Sequence, residues 1–347
     1  MHCEPMTARH LRRRRRVLSA CSLVLLLNLI LPVRQVWALE KLLIVHSALN
    51  MFTAPLWMAK EKGYFAKQGL DVETIYIPSG SLGMQSLLGG ETKILAADGS
   101  SMVNARLHGA PIKIFLGMVN YYPNPFFTTP EIKTPADLKG KKIAVTRIGS
   151  SSYTATIMLM KKLGLEEGRD YIILQLGSTQ ARLLALTKGM IQGTTLSAPE
   201  SVMAKNAGMR TLIASPEMAK LGVSIQHQSA NVMESSLRGD FRATLKSYAK
   251  GYLEGVRQVY RSKEETLAVL KKYTRVNDTQ VLSASYEESY QAIEKEGAVV
   301  DAGVKVLLTE LGKNDPKARS AKPEDFLDTS IMNELAKEGY LRGLWAK

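Results

Sequence analysis

The sequence predicts an α/β protein of two units, each a mostly parallel sheet flanked by helices, with a helical region at the C-terminal end. Three observations carry that prediction. Short apolar or β-branched runs alternate with helix-length segments from Lys41 to Met118, the order that builds a parallel sheet with helices on its faces. The alternation breaks at a proline-interrupted aromatic stretch, Tyr121 to Phe127, and restarts at Lys141. Beyond about Val223 the pattern turns helical, with Phe241, Leu245, Tyr248, Tyr252, Val256 and Val259 at three- and four-residue steps.

The N-terminus stands apart from this pattern. Arg12 to Arg16 form a basic n-region, Val17 to Leu31 an apolar h-region, and Val36-Trp37-Ala38 a small-residue cleavage site. The expectation is a signal peptide over residues 1–38, cleaved near Ala38, by either the general or the twin-arginine route. The apolar run is short for a membrane span, which needs about 20 residues. Cys21 follows the arginines instead of the apolar run, which argues against a lipid-modified cysteine.

Removing that segment changes the charge reading. The full chain carries +14, whereas residues 39–347 hold 39 basic against 31 acidic side chains, or +8. The remaining charge is interleaved in sign, which argues against a nucleic-acid surface. Both cysteines, Cys3 and Cys21, lie in the leader. The remainder therefore offers no disulfide, thiol nucleophile or cysteine metal site. His46, His108 and His227 are widely separated, so no metal and no cofactor are expected.

Taken in order, Lys41 to His46 reads as the first strand and Ala54 to Lys62 as a helix stopped by Gly63. Asp71 to Ile77 is a second strand, Ser81 to Leu88 a helix, and Ile94 to Ala97 a third strand. A helix to His108 and the strand Ile112 to Met118 complete the first unit. Thr134 and Pro135 open a short helix as N-cap and first helical residue. Then come a strand over Ile143 to Thr146, a helix to Leu163, and a strand over Tyr171 to Leu176. Gln180 to Lys188 is a helix, Thr194 to Leu196 a strand, Pro199 to Asn206 a helix and Thr211 to Ala214 a strand. After the long helix, Glu264 to Tyr273, Asp278 to Ala292 and Ala302 to Leu311 are helical, and residues 325–341 form one more.

In open parallel sheets, ligands sit beyond the C-terminal ends of the strands. Those ends hold Ser47, Asn50, Met51, Ser79, Gly80, Asp98, Ser100, Ser101, Gly149, Ser150, Ser151, Ser152 and Ser197. Hydroxyls and helix N-termini converging there can bind an oxyanion without any arginine. Gly149-Ser150-Ser151-Ser152, between a strand and a helix, is the strongest of these turns. Arg147 adds charge if it faces the cleft. Trp57, Tyr121, Tyr122 and Tyr153 offer stacking faces for an aromatic heterocycle, although Tyr121 and Tyr122 serve equally as hinge packing. His46 is either a ligand contact or a satisfied buried histidine.

Several signposts occur together and in order: Gly63-Tyr64-Phe65, Gly69-Leu70-Asp71-Val72-Glu73, Gly89-Gly90-Glu91, Asp137-Leu138-Lys139-Gly140-Lys141-Lys142-Ile143-Ala144-Val145, Lys188-Gly189 and Glu334 to Tyr340. This set resembles the periplasmic solute-binding proteins of ABC importers in the nitrate/sulfonate/taurine and thiamine-pyrimidine-precursor (SsuA/TauA- and THI5-like) group. Lys93 and Gln192 stand where that group often has acidic residues.

The resemblance implies a two-lobed, periplasmic-binding-protein-like (type II) fold with the helical C-terminal region packed on lobe 1. Lobe 1 would be residues 39–125 plus 227–347, lobe 2 residues 126–226, with hinge crossings near Phe126–Thr129 and Val223–His227. It further implies a monomeric periplasmic protein that closes on a small anionic or polar organic solute and delivers it to an inner-membrane ABC permease. Two alternatives stand beside it: a ligand sensor feeding a receptor, or an enzyme of pyrimidine-precursor synthesis on the same fold. The enzyme relative carries a cysteine-rich segment, which residues 39–347 lack. No catalytic residue is therefore assigned.

Overall fold

The ten strands described in the computed structural model are β1 (Glu40–His46), β2 (Leu70–Tyr76), β3 (Ile94–Asp98), β4 (Ile112–Val119), β5 (Phe126–Thr128), β6 (Lys141–Val145), β7 (Tyr171–Gln175), β8 (Gly193–Thr195), β9 (Arg210–Ile213) and β10 (Gln228–Met233). The structure describes residue 2 and residues 38–346. The predicted signal peptide, residues 1–38, lies outside these apart from positions 2 and 38. No helix among the described residues is long and apolar enough to cross a membrane.

The strands form two five-stranded sheets, ordered β2-β1-β3-β10-β4 and β7-β6-β8-β5-β9. In the first, β1 runs parallel to β2 and β3, with Glu40 opposite Leu70 and Ile44 opposite Ile94. In the second, β6 runs parallel to β7 and β8. Each sheet also holds one reversed strand. β10 pairs antiparallel with both β3 and β4, and β5 pairs antiparallel with both β8 and β9.

The reversed strands correct the sequence reading. Residues 228–233 belong to the stretch read as helical, yet they form an interior strand of the first sheet, between β3 and β4. Their polar side chains hid them. Gln228, Ser229 and Asn231 are buried, and Asn231 is satisfied by donating to the carbonyls of Leu95 (2.9 Å) and Ser229 (3.0 Å). Buried amides held this way replace the apolar alternation that marks most strands. Phe126 to Thr128, read as part of a crossing, is a strand of the second sheet. The chain passes between sheets just before it and again between β9 and β10.

The principal helices are α1 (Ala54–Glu61), α2 (Gly80–Leu88), α3 (Gly99–Leu107), α4 (Ser151–Lys162), α5 (Thr179–Thr187), α6 (Glu200–Asn206), α7 (Phe241–Arg261), α8 (Lys263–Thr274), α9 (Thr279–Ser289), α10 (Ala302–Leu311), α11 (Ser330–Lys337) and α12 (Tyr340–Ala346). The single helix expected over residues 325–341 is thus two, separated at Gly339, whose φ of 74° lies in the left-handed region. α7 seats the C-terminal helices on the first sheet. Its Leu245, Tyr248, Tyr252, Val256 and Val259 are buried in one cluster with Trp57, Phe65 and Phe115. Tyr248 and Tyr252 are core residues, as the stripe implied. Their hydroxyls, however, find no hydrogen-bond partner among the described residues.

Candidate functional site

Between the two sheets, beyond their C-terminal strand ends, lies a cleft of about 70 Å³. Its walls are the turns that the parallel strands and their following helices must make. Of the residues expected there, Ser47, Asn50, Ser79, Gly80, Asp98, Ser150, Ser151, Ser152 and Ser197 line it. Ser100 and Ser101 lie immediately behind, hydrogen-bonded to Ser151 and Asp98 respectively. The remaining three are elsewhere. Met51 points into the core, Gly149 shapes the turn with φ 84°, and Tyr121 is 41% exposed and outside the lining.

Asp98 organises the wall. At the end of β3 it caps α3, its carboxylate accepting from the amide (2.9 Å) and hydroxyl (2.9 Å) of Ser101. The same carboxylate reaches across the cleft and accepts from the amide (2.9 Å) and hydroxyl (3.1 Å) of Ser151, at the start of α4. A helix N-terminus attracts an anion, and here Asp98 is an anion already at that place. Burial pushes its carboxyl upward, opposed by the four hydrogen bonds from Ser101 and Ser151. Gly80 permits the arrangement, since a Cβ there would stand 2.1 Å from Asp98 Oδ2.

The serine turn is otherwise largely self-satisfied. Ser150 caps α4 and donates to Arg147 O (2.7 Å). Ser152 accepts from Thr146 N–H (2.9 Å). Further bonds join the two sheets' turns: Asn104 Nδ2 to Gly149 O (3.2 Å) and Asn50 Nδ2 to Ser197 Oγ (3.2 Å). The Met51 amide donates to Ala198 O (3.3 Å).

The positive charge comes from Arg182, not Arg147. Arg147 is exposed, whereas Arg182 on α5 is 4% exposed and lines the cleft. Its guanidinium donates to the Thr146 hydroxyl, Gly177 O (3.0 Å) and Thr195 O (3.3 Å). Nε has no hydrogen-bond partner, and no ion pair joins Arg182 to a carboxylate among the described residues. Burial lowers its pKa. A buried cation of this kind favours an anion beside it.

Opposite stands His227, also absent from the sequence-predicted set. Phe52 and Tyr122 meet its ring edge-on at 5.4 and 5.0 Å. Neither nitrogen is hydrogen-bonded, and burial pushes its pKa down to about 3, so the ring is neutral at physiological pH. Tyr122 donates to Thr195 Oγ1 (2.8 Å), and Ser79 Oγ is a further buried group without a partner. Asn124, Thr146, Thr179 and Gln228 complete the newly found polar lining.

The other aromatic candidates serve elsewhere. Trp57 stacks on Tyr273 at 4.7 Å in the core, and Tyr153 donates to Glu167 (2.9 Å). His46 is the satisfied buried alternative, its Nδ1 lying 3.0 Å from Ala48 O. Among the described residues, no cluster of three or more His, Cys, Asp or Glu could hold a metal ion.

A family model described as NMT1/THI5 like matches residues 50–260. Among curated proteins, the riboflavin-binding protein RibY of Chloroflexus aurantiacus is 22% identical over 207 residues, spanning 58% of this chain and 59% of that relative. The aliphatic sulphonate binding protein SsuA of Escherichia coli has a solved structure matching with a TM-score of 0.66 at 17% identity, over 84% of this chain and 92% of its own. The nitrate-binding protein NrtA of Synechocystis PCC 6803 matches with a TM-score of 0.70 at 15% identity, over 86% and 89%. These structures share the two-lobed periplasmic-binding-protein-like fold.

Proposed function

The chain belongs to the NMT1/THI5-like family, and we propose that it is the periplasmic solute-binding component of an ABC importer. It captures a small anionic solute between its lobes and presents the closed form to a membrane permease. Residues 39–125 with 227–347 form lobe 1 and residues 126–226 lobe 2, and the mature chain acts as a monomer after cleavage near Ala38. The observation that carries the reading is Arg182, a buried cation at the cleft with no carboxylate in ion-pairing reach among the described residues. An anion bound beside it would offset the cost of its burial.

The size of the cleft supports a small ligand. Its 70 Å³ suits the head of a nitrate, sulfonate or carboxylate. Sites for drug-sized ligands run to roughly 300 Å³ or more, so a flavin would require the lobes to part. Binding is favoured over catalysis because Ser150, Ser151 and Ser152 spend their hydroxyls on turn and lobe-bridging bonds. His227 meets aromatic edges and not a nucleophile.

The test is a thermal-shift screen of the purified mature protein against nitrate, alkanesulfonates, taurine, aromatic carboxylates, pyrimidines and riboflavin. At 100 times its dissociation constant the right ligand adds about 2.7 kcal/mol of stability. Stabilisation by a small anion, lost in Arg182→Met, is expected. A response to riboflavin alone, or turnover of any compound, would overturn the reading.

A further inference from the structure

Helix α5 presents two faces to two different cavities. Thr179 and Arg182 face the cleft. Gln180, Leu183, Leu184 and Thr187 face a groove of about 370 Å³, which shares no lining residue with the cleft. Glu200, Met203 and Ala207 of α6 form its second wall, and Thr274 and Val276 close it from the C-terminal end of α8. The groove thus lies between the two sheets' helices, on the far side of α5.

We propose that this groove is a second small-molecule site, which takes an amphipathic primary amine: an apolar body among Leu183, Leu184, Met203 and Val276, and an ammonium head on Glu200. Two observations meet here. First, the volume falls within the roughly 300–1,000 Å³ of small-molecule sites, and the walls are mainly apolar. Leu184 and Met203 stand 59% and 37% exposed at the rim, available to cover a ligand. Second, Glu200 is 2% exposed, and its Oε2 has no hydrogen-bond partner.

A buried carboxyl oxygen without a partner is costly, and an ammonium donating to it would remove that cost. Arg182 does not fill the role: its bonds go to Thr146, Gly177 and Thr195, and its free Nε does not reach Glu200 Oε2, since both atoms are without a partner. Burial pushes the Glu200 carboxyl up to about 7, while Arg182 and Gln180 hold it down. A cation arriving at Oε2 would favour the ionised form. Because the walls come from both sides of the cleft, an occupant would also tie the two together.

The test uses phenethylamine as probe, with phenylacetate as its anionic counterpart, measured by calorimetry and saturation-transfer NMR on the purified mature protein. Phenethylamine should bind at a single saturable site, at least about tenfold more tightly than phenylacetate. Glu200→Gln should remove that preference. Thr187→Trp, at an exposed rim position, should close the groove and abolish amine binding, while any anion found by the thermal-shift screen still stabilises the protein. Absence of phenethylamine binding at millimolar concentration overturns the proposal. So does amine affinity that survives Thr187→Trp or keeps its preference in Glu200→Gln.

Discussion

Replacing Arg182 with methionine separates folding from ligand capture. In the folded chain the guanidinium makes three hydrogen bonds to neutral acceptors. Bonds from a charged donor contribute about 1.5–3 kcal/mol each. Against them stands the desolvation of a buried cation, several kcal/mol after relaxation. Methionine restores most of the apolar volume and removes that penalty, while Thr195 O keeps its place in the ladder between β8 and β5. The opposed terms leave stability within about 2 kcal/mol of the parent. Affinity behaves differently. Truncating one partner of a buried charge pair costs about 2–5 kcal/mol, a fall of roughly 30-fold to several thousandfold. Urea denaturation reads the first quantity and calorimetry with the screened anion reads the second. Arg182→Lys should recover only part of the loss, because a point charge lacks the planar fork. If Arg182→Met binds the anion within about threefold of the parent, the charge assignment fails.

Three smaller perturbations examine the frame around that charge. Ser151→Ala deletes the hydroxyl donor to Asp98 but keeps the amide; about 1 kcal/mol of lobe–lobe contact is lost, and small-angle scattering should report a more open average shape. Gly80→Ala drives a Cβ against Asp98 Oδ2 and should destabilise by about 1–3 kcal/mol in urea, with no change counting against the tight approach. His227→Phe tests acid sensitivity. Burial holds the native pKa near 3, so the stability tied to His227 is complete above about pH 6.5 and declines as the pH falls and the unfolded chain alone takes up the proton. The parent should lose about 2 kcal/mol more than the variant between pH 6.5 and 5, and parallel pH profiles would contradict that origin.

The parts of this protein that were legible in sequence depend on local pattern. The βα alternation, the Thr134-Pro135 helix start and the stripe of α7 are all set by neighbours within a few residues. β10 was not legible because its buried Gln228, Ser229 and Asn231 break the apolar alternation of a strand, and Asn231 finds its partner at Leu95 O, 136 residues away in the chain. The cleft divides in the same way. Its serine turns could be named from strand ends, since capping and turn chemistry are local. Arg182 could not, because an arginine within a helix reads as solvated until packing shows which face of α5 it occupies. Glu200 was hidden similarly, as an acidic residue in a first helical turn that also suits the helix dipole.

Asp98 changes what the serine turn means for ligand choice. The strand–glycine–serine–helix segment has the chemistry of an anion site, and its anion is supplied by the opposite wall, 53 residues earlier in sequence. The bond therefore joins the two sides of the cleft. Asn50 to Ser197 and Lys205 to Glu288 do the same. A ligand that gains its energy mainly at Arg182 then adds to a closure that the protein itself supports. Affinity scales with the fraction of molecules already competent to bind, so weakening Asp98–Ser151 should lower affinity for every anionic ligand by a similar factor. Replacing Arg182 should instead change which ligands are preferred. Measuring a nitrate, a sulfonate and a carboxylate against Ser151→Ala and Arg182→Lys distinguishes these roles: a uniform shift in the first variant and a reordering in the second are expected. A reordering in Ser151→Ala would return Ser151 to direct ligand contact.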